Sequence, residues 1–95
     1  MSVYLIFDVD VRDAVRFQDF MVAAKPLVEQ AGGRYLARGG PFKVLEGDWQ
    51  PSRMVILEFP SMQAFDDFYA GDYQKAKAIR DECSTARLIV VQGLE

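Results

Sequence analysis

The chain has 95 residues, 51% of them hydrophobic, with a formal net charge of −3 and no histidine. This length is enough to bury the core of one domain and not of two, so we predict a single domain over residues 1–95. The eleven basic residues are scattered, which predicts no nucleic-acid partner, and the lack of histidine excludes Ser-His-Asp catalysis, a histidine-ligated haem and a His/Cys zinc site.

The N-terminal third of the chain predicts a strand and then a long helix. Apolar residues occupy every second position from Val3 to Val9, which is the period of a β-strand. From Ala14 to Ala31 they recur every three or four positions, which is the period of an amphipathic helix. Asp10 or Asp13 is available as the N-cap, and Gly32-Gly33 ends the helix.

The middle of the chain predicts a β-hairpin. Residues Arg34 to Leu45 form an extended segment with a bend at Gly39-Gly40-Pro41. A turn around Trp49 leads to an apolar strand from Arg53 to Phe59. These two segments have the spacing of paired antiparallel strands.

The C-terminal part predicts two short helices and a last strand. Ser61 caps the first helix, Gly71-Asp72 interrupts it, and Tyr73 to Cys83 forms the second. Arg87 to Gln92 then contains a run of β-branched residues. The order β-α-β-β-α-β is that of a ferredoxin-like α+β fold, in which helices cover one face of an antiparallel sheet.

The alternation of side chains assigns residues to the two faces of this sheet. We expect Phe17, Met21, Phe65 and Phe68 of the helices to cover a face made of Val3, Leu5, Phe7, Val9, Val55, Leu57, Phe59, Ile89 and Val91. The open face then holds Tyr4, Ile6, Asp8, Met54, Ile56, Glu58, Leu88, Val90 and Gln92, with either Leu36/Arg38 or Tyr35/Ala37 from the second strand. Because this face is half apolar, we expect a second copy of the chain to cover it.

Four segments resemble one protein family over nearly the whole chain. They are GGRYLARGG at residues 32–40, EGDW at 46–49, RMVILEFPS at 53–61 and YQKAKAIR at 73–80. The sequence resembles the bacterial domain-of-unknown-function family 1330, of the dimeric α+β barrel superfamily. The resemblance implies a homodimer whose two sheets form a shared barrel. Relatives in the superfamily include cofactor-free monooxygenases, isomerases and haem proteins, so the resemblance implies an architecture and not an activity.

Glu58 and Arg38 are the candidate catalytic residues. Glu58 is expected on the open face beside Asp8, where a carboxylate with a raised pKa could act as a general base. The alternative is that Glu58 forms an ion pair with Arg38, which the hairpin could bring next to it from the second strand. Arg38 and Arg53 could instead clamp a carboxylate or phosphate of a ligand. Because Arg53 is next to the turn, a surface or interface position is the favoured interpretation for it.

The other candidates for a ligand pocket are Tyr73, Arg80, Asp8 and Trp49. Tyr73 can donate a phenolic hydrogen bond or fill the core. Arg80 can bind an anion or pair with Asp81 or Asp72. Trp49 can pack at the mouth of the pocket or, as the favoured interpretation, on a partner subunit. We predict a small-molecule-binding protein without cofactor or metal, with a cofactor-independent enzyme as one form of it. The alternative is a homodimeric interaction protein without catalysis.

The cellular location is predicted from the lack of targeting features. No run of eighteen or more apolar residues is present, and the N-terminus has no basic segment of a signal peptide. A lone cysteine fits a reducing compartment. We therefore expect a cytoplasmic protein that is not in a membrane.

Overall fold

The computed structural model describes residues 1–94, and it confirms the predicted order of helices and strands. The second predicted helical region consists of two helices in direct succession. The elements are β1 (Val3–Val11), α1 (Ala14–Gln30), β2 (Arg34–Arg38), β3 (Met54–Phe59), α2 (Met62–Ala70), α3 (Tyr73–Cys83) and β4 (Ser84–Gln92).

The four strands form one antiparallel sheet in the order β2-β3-β1-β4. One face is covered by the three helices and forms the core, in which Val3, Val9, Phe59, Val28 and Cys83 have the most buried side chains. This is the predicted ferredoxin-like α+β architecture. None of the helices in residues 1–94 has the length and apolar character that crossing a membrane requires.

Side-chain caps set the start of two helices. The Asp13 carboxylate accepts a hydrogen bond from the Arg16 amide at 3.1 Å, so Asp13 rather than Asp10 caps α1. Ser61 caps α2 in the same way through the Ala64 amide. Each cap satisfies one of the backbone donors that a helix start leaves unpaired, which stabilises the helix by about 1 kcal/mol.

The face assignment of the last strand was wrong. Phe7 of β1 lies opposite Leu88, and directly opposed residues of antiparallel strands share a face, so Leu88 and Val90 pack on the core. Ile89 and Val91 lie on the open face and are 64% and 48% exposed. The run of four apolar residues at 88–91 shows no alternation, so the sequence alone could not set its register.

The second strand is shorter than predicted and contains a bulge. Strand β2 ends at Arg38, and the connection from residue 39 to residue 53 has no strand. The pairing with β3 shifts between Tyr35 and Ala37, which leaves Leu36 as an extra residue. Because of that bulge, Arg34 and Ala37 share the open face whereas Tyr35 and Arg38 share the helix-covered face, so neither predicted set was right.

Candidate functional site

The structure distributes the six predicted site residues over both faces of the sheet. On the helix-covered side, Arg38 and Tyr73 line an internal cavity, and Arg80 lies directly behind Tyr73. On the open face lie Asp8, Glu58 and Trp49. The candidates therefore form two separate groups.

The predicted ion pair between Glu58 and Arg38 is absent because the bulge at Leu36 turns Arg38 to the other face. Glu58 instead accepts a hydrogen bond from Arg34 Nε at 2.6 Å and one from Tyr4 Oη at 3.2 Å. The hydrogen bond from Arg34 is the main reason why the pKa of Glu58 is lowered. The expectation of a raised pKa is wrong for this carboxylate, whereas its role in catalysis stays a prediction.

Asp8 fixes the long connection to the open face. Its Oδ1 accepts from the Ser52 amide at 2.9 Å, and its Oδ2 accepts from Trp49 Nε1 at 3.0 Å. Burial would raise the pKa of Asp8, but these two bonds, together with Arg87, lower it. Asp8 lies opposite Met54 and not beside Glu58, so the predicted pair of neighbouring carboxylates is also absent.

The helix-covered side contains a cavity of about 40 Å³ between the sheet and helices α1 to α3. A water molecule needs about 10–15 Å³ of such volume, so the cavity has room for a few waters. Most of its wall is apolar, with six aromatic rings from Phe7, Phe17, Phe20, Tyr35, Phe68 and Tyr73. A ligand that fills it must therefore be largely apolar.

Two arginines stand at the mouth of this cavity. Arg38 is exposed and lies over the Tyr35 ring at 4.6 Å, and Arg53 is half-buried and lies over the Phe17 ring at 5.7 Å. Within residues 1–94, no carboxylate lies within 4.0 Å of either guanidinium. Both arginines also border a shallow outer depression to which Lys25 contributes a third cation and no acidic residue contributes.

Arg53 is held in place by its surroundings and yet lacks a full set of partners. Its Nη2 lies 3.9 Å from the sulfur of Met21, and its Nε is buried without a hydrogen-bond partner among the described residues. Gly39, at φ +73°, leaves the space that the guanidinium occupies. The sequence interpretation had favoured a surface or interface position for Arg53, since its place next to the turn showed nothing of the cavity.

Tyr73 and Arg80 form the innermost polar group. Arg80 Nη1 donates to Tyr73 Oη at 2.7 Å, and both side chains are buried. Burial raises the pKa of Tyr73 to about 12, so its hydroxyl is protonated at neutral pH. Because the cavity wall contains no carboxylate, histidine, lysine or cysteine, its polar groups can donate hydrogen bonds but cannot remove a proton near neutral pH.

A metal centre has no support in the part of the chain that the structure describes. In residues 1–94, no three His, Cys, Asp or Glu side chains come together as metal ligands. The single cysteine, Cys83, is buried at the end of α3, and burial raises the pKa of its thiol. It is therefore protonated and shielded at neutral pH.

The fold and the cavity define a ferredoxin-like α+β protein with an internal cavity on the helix-covered side of its sheet. Residues 2–94 match the family described as Domain of unknown function (DUF1330), and the chain belongs to that family. This confirms the resemblance found in the sequence. No curated protein matches the chain.

Solved structures of similar fold come from several bacteria. A protein of unknown function from Rhodopseudomonas palustris has a TM-score of 0.79 at 22% identity, over 99% of this chain and 83% of its own. A dimeric ferredoxin-like protein of unknown function from Jannaschia sp. CCS1 has a TM-score of 0.72 at 13% identity, over 98% and 100%. The cofactor-independent oxygenase SnoaB from Streptomyces nogalater has a TM-score of 0.66 at 10% identity, over 99% and 94%. At these identities the likeness shows the fold alone.

Proposed function

We propose that the protein binds a small apolar molecule with one anionic group, in the cavity between the sheet and the helices. The observation that carries the proposal is a pair of arginines at the mouth of an apolar cavity, Arg38 and Arg53, for which residues 1–94 provide no carboxylate partner. A guanidinium binds a carboxylate through two parallel hydrogen bonds. The anionic group would lie at the mouth and the apolar part inside.

The cavity must widen to admit such a ligand. Its 40 Å³ is well below the volume of about 150 Å³ that accommodates a benzene ring in an engineered cavity. Met21 and Arg53 are the lining side chains best able to move, because both are long and unbranched and their contact at 3.9 Å is weak. We expect an anion at the mouth to draw Arg53 outward and open the cavity.

The test is a titration with 4-methylpentanoate, followed by NMR. Wild-type protein should bind this acid at least 10-fold more tightly than 4-methylpentanamide, because hydrogen bonds to a charged group contribute about 1.5–3 kcal/mol. Arg38→Gln and Arg53→Gln should each remove most of that difference. Arg12→Gln, a change at an exposed arginine outside the cavity, is the matched control. Equal binding of acid and amide to wild type would refute the proposal.

We also infer that the protein is a homodimer whose open faces pack together. The open face and its adjoining connection expose Ile89, Val91, Phe42 and Leu45, which are between 46% and 84% exposed. Apolar patches of this kind mark interaction sites, and the Jannaschia structure is that of a dimeric protein. Ile89→Lys should convert a dimer into a monomer in light scattering, while Val22→Lys, on an exposed part of α1, should not. A monomeric wild type would contradict this inference.

Cofactor-independent catalysis is a further part of the proposal, supported by the fold that the chain shares with the Streptomyces oxygenase. No observation favours the alternative of a non-catalytic interaction protein, and Arg38 and Glu58 do not form an ion pair. A cytoplasmic location and the absence of nucleic-acid partners stay predictions from the sequence.

A further inference from the structure

The Tyr73 hydroxyl has a proton that no residue in the described chain accepts. A phenol hydroxyl can accept and donate, whereas a guanidinium can only donate. The 2.7 Å contact therefore occupies a lone pair of Tyr73 Oη and leaves its proton free. Within residues 1–94, no hydrogen bond donated by this hydroxyl is present, although the side chain is only 4% exposed.

Arg80 can only donate to the Tyr73 hydroxyl and can never accept its proton. It is 2% exposed, and its guanidinium lies over the rings of Phe7, Phe20 and Tyr73 at 5.2, 5.8 and 5.9 Å. The nearest carboxylate, of Asp81, is 3.8 Å away, which is too far for a strong hydrogen bond. An arginine that is permanently charged and enclosed by rings cannot turn from donor to acceptor.

Tyr73 lines the cavity and also a shallow outer depression with Asp67 and Asp72, whereas Arg80 lines neither. The cavity is the more enclosed of the two, and it is the place to which we assign the acceptor of the free proton. We propose that the Tyr73 hydroxyl donates a hydrogen bond to a carbonyl oxygen of the ligand, and that Arg80 is the positioning residue that polarises this hydroxyl. This inference rests on the proposed function, in which Arg38 and Arg53 hold the anionic end. The ligand class is then an apolar carboxylate with a ketone or other carbonyl group farther along its chain.

The experiment compares acids that differ only in the acceptor. The ketone acids 4-oxopentanoate, 5-oxohexanoate and 6-oxoheptanoate place the ketone oxygen at increasing distances from the carboxylate. Each is matched with the methyl-branched acid in which a CH–CH₃ group replaces C=O, for example 4-methylpentanoate. For the best-fitting pair, Tyr73→Phe should weaken binding of the ketone acid by about 3- to 10-fold and leave the branched acid unchanged, as expected for the loss of one hydrogen bond.

Two variants separate this inference from the proposed function. Arg38→Gln should weaken both acids of a pair by the same factor, because it acts on their common carboxylate. If that effect is present and Tyr73→Phe changes both acids equally, the hydrogen bond from Tyr73 is refuted and anion binding stands. If Arg38→Gln changes neither acid, the proposed function fails. Arg80→Met should reduce the preference for the ketone, and Arg80→Lys, which keeps a donor, should restore part of it.

A measurement on wild-type protein does not depend on the folding of the variants. The ¹³C resonance of the bound ketone carbonyl should stay near its position in water, because the Tyr73 hydroxyl replaces the hydrogen bonds that water donates to the free C=O group. Binding that moves this resonance upfield, to its position in an apolar solvent, would overturn the inference.

Discussion

Asp8→Asn tests whether one buried carboxylate holds the long connection, residues 39–53, on the sheet. The two donors approach different oxygens, since Ser52 N–H binds Oδ1 and Trp49 Nε1–H binds Oδ2. An asparagine has one carbonyl oxygen and one NH₂ group. Whichever way the amide turns, one of the two donors must then face another donor, and one hydrogen bond is lost.

The expected cost follows from this geometry. One hydrogen bond to a charged acceptor is lost and the other becomes neutral, so the free energy of unfolding should fall by about 2–3 kcal/mol. For a chain of this size the midpoint of thermal unfolding should fall by roughly 10–20 °C. Calorimetry at equal protein concentration is the assay, because a dimer melts at a concentration-dependent temperature.

Asp66→Asn is the matched control, since Asp66 is exposed and takes part in no side-chain hydrogen bond or ion pair among the described residues. It should change stability by less than about 0.5 kcal/mol. If Asp8→Asn were as stable as this control, the bonds to Ser52 and Trp49 would not be what holds the connection in place.

The effect of Asp8 should also depend on pH in a defined direction. The folded-state pKa of Asp8 is lowered, so its stabilisation is present above the ordinary carboxyl pKa of 3.8 and is lost as the pH falls through the lower folded value. The difference between wild type and Asp8→Asn should therefore be largest near neutral pH and shrink in acid. A difference that grew in acid would contradict the assignment.

Three further predictions concern the cavity and the core. Gly39→Ala should cost about 1–2 kcal/mol for the left-handed backbone and also weaken 4-methylpentanoate binding, because the new Cβ would lie 2.8 Å from Arg53 Nη1. Gly47→Ala has the same backbone cost but open space around the Cβ, so it should leave binding unchanged. Stability should fall as the pH rises from 10 to about 12, since the raised pKa of Tyr73 favours the folded state only while the phenol stays protonated. Tyr73→Phe should reduce this slope without removing it, because burial raises the pKa of Tyr35 as well. Cys83 should react with a disulfide reagent only in denaturant, because the buried thiol has a raised pKa, and rapid labelling of folded protein would refute this.

The fold could be predicted from the sequence because periodicity, caps and breaks agreed along most of the chain. Asp13 and Ser61 cap helices as expected, and β1 has the uniform apolar face that the alternation indicated. The last strand is the exception. At positions 88–91 every residue is apolar, so the choice of buried face depends on the register with β1, which only tertiary packing determines.

The site was harder to predict because it depends on one extra residue in a short strand. Regular alternation from Arg34 would put Leu36 and Arg38 on the open face with Glu58. The bulge at Leu36 reverses which face of the sheet the side chains point to from Ala37 onward. The sequence has no glycine or proline at position 36 from which such a bulge could be predicted. The bend predicted at Gly39-Gly40-Pro41 begins three residues after Leu36, which is too late to turn Arg38 toward the helices.

This bulge also explains why the strand can serve both faces of the sheet. Arg34, before it, neutralises Glu58 on the open face, where a lone carboxylate inside the inferred dimer interface would be costly. Arg38 follows the bulge, has no acidic partner in the part of the chain that the structure describes, and lies at the cavity mouth. Regular pairing of the same residues would put Arg38 opposite Met54 on the open face and leave the cavity with Arg53 alone. Deletion of Leu36 removes only the extra residue, so Arg38 should stay opposite Val55 on the helix-covered face and binding of 4-methylpentanoate should stay close to that of wild type. A loss of binding as large as that of Arg38→Gln would contradict the assignment of Leu36 as the bulged residue.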